Sequence, residues 1–158
     1  MSEDRIQEVL SEAYTRMHTY TCAESSLQAL LQLWEIPDSW LTWATAGYLG
    51  AIMSGETTCG LLVGSTAAIG FKCGLGNESA PEVHPSDRGT AVEAVGELYR
   101  SFIDEFGSTT CKTLSNVDFS DGEQLADYIV NQRWKNTCDR FLEFVIRKCL
   151  EMDEKGKI

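Results

Sequence analysis

No proline falls between Ser86 and Ile158, and the whole chain holds only 3. Proline lacks a backbone donor and clashes with the preceding helical turn, so its absence leaves half the chain free to run in long helices. The apolar residues there recur at three- and four-residue intervals, the period of a helix with one buried face. Val92, Val95, Leu98, Tyr99, Phe102, Ile103 and Phe106 predict one inward stripe, ended by Gly107; Phe141, Leu142, Val145, Cys149 and Met152 predict another. The first half repeats the pattern. Ile6, Val9, Leu10, Ala13, Tyr14 and Met17 share a face behind Ser2, a natural N-cap, with Glu3 and Asp4 at the positive end of the helix. Thr21-Cys22-Ala23-Glu24 has the form of a capping box and leads into Leu27, Leu30, Leu31 and Trp34. Pro37 ends that helix. A third helix, capped by Asp38 or Ser39, is expected to carry Leu41, Ala44, Tyr48, Leu49 and Ile52 as far as Gly55. Residues 74–88 read as loop, and Ser120-Asp121-Gly122-Glu123 as a second capping box before Leu125, Tyr128 and Ile129. The tryptophans Trp34, Trp40, Trp43 and Trp134 are most simply core anchors. With no alternating strand and no repeat, the reading is an all-α, single-domain helical bundle spanning residues 1–158.

A formal charge of −11 sets the chain against polyphosphate and against anionic membrane surfaces, so no nucleic acid and no membrane insertion are expected. The longest apolar run, Leu61 to Phe71, is also too short to span a bilayer, which needs ~20 residues. The acidic surface keeps the protein in solution and suits a basic redox partner protein. The first residues lack the basic and apolar regions of a secretory signal, which points to a reducing, cytoplasmic location. There the 6 cysteines are to be read as thiols before disulfides.

Those cysteines divide by their neighbours. Thr-Cys occurs at Cys22, Cys59, Cys111 and Cys138, while Cys73 and Cys149 follow lysines. Each Thr-Cys pair stands where a helix is predicted to begin, with Thr57 or Thr58 as cap before Cys59 and Asn136 or Thr137 before Cys138. A helix start offers unpaired N–H donors and a positive dipole end, which stabilise thiolate and predict a lowered cysteine pKa. Thiolate is the form that attacks disulfides, binds metal or holds an iron–sulfur cluster. Cys22, Cys59, Cys111 and Cys138 are therefore the candidate redox thiols or metal ligands. They lie 37, 52 and 27 residues apart, which matches no zinc-finger or ferredoxin spacing, so only the fold can assemble them. Cys73 and Cys149 fall late in helices, where the dipole disfavours thiolate, and read as buried packing groups. Gly60 and Gly64, with Ala67 and Ala68, leave little bulk on the helix after Cys59, so another backbone or a cofactor can approach closely. His18, four residues before Cys22, could reach the same site but reads as solvent-facing, as does His84 in the loop.

Cys59-Gly60-Leu61-Leu62-Val63-Gly64 resembles the CGAxxG motif of the family labelled C-GCAxxG-C-C, putative redox-active proteins, with Leu61 in the place of alanine. The family's one early cysteine, glycine-flanked cysteine and two later ones match Cys22, Cys59, Cys111 and Cys138, and the likeness runs from about residue 5 to 150. The resemblance implies a redox or electron-transfer role and no defined reaction. Three readings stand open on the residues: thiols that hold an iron–sulfur cluster or cycle to a disulfide; a structural zinc domain with four cysteine ligands; or a non-catalytic interaction module, a homodimer that packs through Gly60 and Gly64.

Overall fold

A computed structural model describes residues 1–37, 40–75 and 85–158. The expected caps Asp38 and Ser39, and His84 with most of the 74–88 loop, lie outside the described residues. The elements are α1 (Glu3–Arg16), α2 (Cys22–Leu33), a 3₁₀ turn (Trp40–Thr42), α3 (Trp43–Ala46), α4 (Tyr48–Met53), α5 (Gly60–Gly74), α6 (Pro85–Phe106), α7 (Cys111–Ser115), α8 (Gly122–Val130), a second 3₁₀ turn (Arg133–Asn136) and α9 (Cys138–Glu154). Among the described residues there is no strand, only an isolated antiparallel bridge between Thr58 and Thr110. The fold is an all-α bundle.

Its centre is the packing of α2 against α5, with α6 and α9 closing around α5 and α1 lying on α2. Gly64 makes this approach feasible: a Cβ there would stand 2.0 Å from the Ala23 carbonyl oxygen and 2.3 Å from Ser26 Oγ. The stripes of α1, α2 and α9 meet in one core that includes Leu10, Leu27, Leu30, Leu62, Ile69, Leu98, Phe141, Leu142 and Ile146. Phe102, Phe106, Phe141 and Phe144 add edge-on and tilted ring pairs between α6 and α9, with centroids 4.7–5.8 Å apart. Ser2 caps α1, and Thr21 and Glu24 form a reciprocal capping box on α2. Gly107 turns the chain out of α6 with φ +78°, a conformation glycine reaches without Cβ strain.

A second, smaller cluster of Ile52, Val117 and Phe119 sits beside the first, with Tyr48, Leu125 and Tyr128 packed against it. Cys22 touches both clusters, Cys138 the main core and Cys111 the smaller one.

Several expectations need correction. The third helix is broken into a 3₁₀ turn, α3 and α4, with Gly47 at the break, and its Leu49 is exposed. Trp40 and Trp43 are 80% and 73% exposed and so are not core residues, while Trp34 and Trp134 are half-buried. On α6 the buried face is Ala94, Leu98 and Phe102, a four-residue rhythm that leaves Val92 and Ile103 outside. The cap of α8 is Asp121, whose carboxylate accepts from the N–H groups of Glu123 and Gln124, and not Ser120.

Candidate thiol centre

The four Thr-Cys cysteines do stand at helix starts. Cys22, Cys111 and Cys138 are the first residues of α2, α7 and α9, and Cys59 is itself the N-cap of α5, one position earlier than expected. The starts of α5 and α7 are tied together. The Cys59 N–H donates to the Thr109 carbonyl at 2.7 Å, and the Cys111 N–H donates to the Thr57 carbonyl at 2.9 Å, on either side of the Thr58–Thr110 bridge. Both segments read Thr-Thr-Cys, and β-branched threonine favours the extended backbone such a bridge needs. Cys22 reaches the same place through α2: a Cβ on Gly60 would fall 2.3 Å from its sulfur.

The sulfurs form one electrostatic set. The thiols of Cys59, Cys111 and Cys138 disfavour ionisation of Cys22, those of Cys111 and Cys138 disfavour it at Cys59, and that of Cys138 disfavours it at Cys111. All 6 cysteines of the chain are free thiols. Cys73 and Cys149 belong elsewhere. At 1.5 Å per residue they lie roughly 20 and 16 Å along α5 and α9 from the helix starts, against the main core. Gly60 and Gly64 face α2, so the room they leave is filled from within the chain, by Cys22 and by the Ala23 backbone.

Helix-start polarity does not set the sign of the shift. The backbone N–H of Ala23 at Cys22, and those of Leu61 and Leu62 at Cys59, favour thiolate. Burial outweighs them, and the other thiols add like-charge repulsion. Cys22 is pushed well above the ordinary thiol range, Cys59 is pushed up strongly, Cys111 is raised to about 12, and Cys138 is raised, each with burial as the first cause. The resting centre is thus four protonated thiols.

Tyrosines line it, a feature the apolar periodicity concealed by counting them as stripe residues. The Tyr48 hydroxyl lies 2.6 Å from Thr57 Oγ1 and donates to the Thr58 carbonyl at 2.7 Å, holding the segment before Cys59. The Tyr128 hydroxyl is 3.3 Å from Cys138 Sγ. Burial raises Tyr48, Tyr99 and Tyr128 above the usual phenol range, and thiols of the set push each further. His18 is exposed and sets its ring edge-on to Trp134, with centroids 5.3 Å apart.

Four cysteines are a donor set suited to an iron–sulfur cluster or to structural zinc. Among the described residues, however, no three His, Cys, Asp or Glu side chains are grouped as a metal ion would require.

A family model described as "Putative redox-active protein (C_GCAxxG_C_C)" matches residues 20–152. The chain belongs to this family. The matched span takes in the four thiols and the whole α2–α5 interface. Neither a curated protein nor a solved structure matches the chain. No helix among the described residues is long and apolar enough to cross a membrane.

Proposed function

We propose that this C-GCAxxG-C-C protein is a dithiol–disulfide redox carrier whose working groups are Cys22, Cys59, Cys111 and Cys138. The observation that carries the reading is the placement of four free thiols at helix starts on the seam of two apolar clusters, with the segments of Cys59 and Cys111 bonded backbone to backbone and the Cys22 sulfur set in the notch at Gly60. In the step envisaged, a thiolate of the set attacks one sulfur of a partner's disulfide, forming a mixed disulfide and expelling the partner's other sulfur as thiolate. A second thiol of the set loses its proton and attacks the mixed disulfide. An internal disulfide forms, and the partner leaves carrying two electrons and two protons as a dithiol. Burial favours this outcome, since a disulfide is neutral and removes two costly ionisable groups from the apolar seam. The acidic chain suits a basic partner, and a cytoplasmic thiol pool would hold the resting state reduced.

The test is titration of the reduced, anaerobically purified protein with a small disulfide such as oxidised glutathione. Two thiols per chain are expected to disappear, and peptide mapping is expected to place the new bond within the four. Cys73→Ala and Cys149→Ala are expected to leave that result unchanged. A bond that involves Cys73 or Cys149, or no internal bond at all, overturns the proposal. Stoichiometric zinc, or iron with visible absorption, in the anaerobic protein overturns it in favour of a metal centre.

A further inference from the structure

Of the four thiols, Cys138 has a side-chain hydroxyl free to serve its sulfur. Tyr128 Oη lies 3.3 Å from Cys138 Sγ, and its ring is fixed edge-on against Phe119 at 4.9 Å and tilted against Trp134 at 5.6 Å. Ser115 also stands beside Cys111 and favours its ionised form, but its hydroxyl donates to the Cys111 carbonyl at 2.8 Å, which occupies its one proton. At Cys22 and Cys59 the groups that favour thiolate are backbone N–H groups. While both groups are protonated, either can donate in the Tyr128–Cys138 pair. Once Cys138 ionises, only the phenol can, and a hydrogen bond to an ion is stronger than one between neutral groups.

We propose that Tyr128 is a positioning residue that makes Cys138 the attacking thiol of the set. The inference rests on the dithiol reading above. The phenol O–H donates to the Cys138 thiolate and aims its sulfur, which then displaces one sulfur of the partner's disulfide as the leaving thiolate. Cys22, Cys59 or Cys111 resolves the mixed disulfide. The charged and titratable groups that act at Cys138 are Tyr128 on α8, its own neighbours Asp139 and Arg140, and the three other thiols. Asp139 opposes ionisation, and Arg140 favours it together with Tyr128. Lys135 lies within electrostatic reach of Asp139 and softens its charge, and His18 stands near the same carboxylate.

The experiment is residue-resolved alkylation of the reduced protein with iodoacetamide across pH, read by mass spectrometry, in the wild type and in Tyr128→Phe. Phenylalanine keeps the ring contacts and removes only the hydroxyl. In the wild type Cys138 is expected to be modified first of the four. In Tyr128→Phe its rate at pH 8 is expected to fall about tenfold and its profile to move up by about one pH unit, while Cys22, Cys59 and Cys111 keep theirs. A purely structural role would move all four thiols together and leave no displaced profile at Cys138 alone. An unchanged Cys138 profile, or a uniform change across the four, overturns the proposal. Should Tyr128→Phe fail to fold, the wild-type order still decides, because modification of another thiol before Cys138 overturns it too. Alkylation needs no disulfide to form, so a failed oxidation with an intact Tyr128 effect rejects the carrier reading without rejecting the hydrogen bond.

Discussion

At the scale of single residues, two glycines four positions apart do different work. A Cβ at Gly64 would meet the Ala23 carbonyl at 2.0 Å, and backbone cannot step aside. Gly64→Ala is expected to force α2 and α5 apart and cost about 2–3 kcal/mol, measured as a fall in the urea midpoint. A Cβ at Gly60 would meet a sulfur, Cys22 Sγ, at 2.3 Å, with the Ala23 N–H group at 3.2 Å. A side-chain atom can rotate where a carbonyl cannot. Gly60→Ala is therefore expected to change the yield of internal disulfide more than it changes stability. Equal destabilisation by both substitutions, with oxidation untouched, would show that Gly60 serves packing alone.

At the scale of elements, α8 stands apart. It buries no residue fully, its Ile129 and Val130 are exposed, and it is held over the thiols by the partly buried Leu125 and Tyr128. Its start depends on Asp121, whose carboxylate binds two backbone N–H groups and the Gln124 amide. Asp121→Ala is expected to remove about 1 kcal/mol of local helix stability. Hydrogen exchange should quicken over residues 122–130, with the main core little affected. Exchange that rises throughout α9 as well would mean α8 is part of the global folding unit.

At the scale of the whole molecule, the ionisable groups set two opposite pH limits. Glu3, bonded by Arg147 and Gln7, and Asp118, bonded by Lys112 and Ser120, are both held near 2, below ordinary values of 4.5 and 3.8. Carboxylates with lowered folded pKa values contribute fully above about pH 4.5, and that contribution disappears as pH falls toward 2. Both are open to solvent, so the effect is modest and weakened by salt. The thiols have raised folded values, so their contribution is whole below about pH 9 and is lost as pH climbs, toward 12 for Cys111. The urea midpoint of the reduced protein is expected to be flat from about pH 5 to 8 and to fall on both sides. High salt should flatten the acid limb, and Cys111→Ser should flatten the alkaline one. An alkaline limb that persists when all four thiols are replaced would assign it to the tyrosines or lysines instead.

Helix period, caps and the missing prolines were enough to read an all-α bundle, and Thr-Cys marked four cysteines that do stand at helix starts. These signals are local: each depends on residues within a turn of one another. Which face of α6 turns inward, that Trp40 and Trp43 stay outside, and that α2 fills the notch at Gly60 and Gly64 depend on contacts between distant segments. Thr-Cys recurs along the sequence, yet only folding made the segments that lead into Cys59 and Cys111 neighbours across the Thr58–Thr110 bridge. The protonation of the thiols was decided last. Helix-start polarity can be read from sequence and favours thiolate; the depth of burial cannot be read, and it reverses the sign.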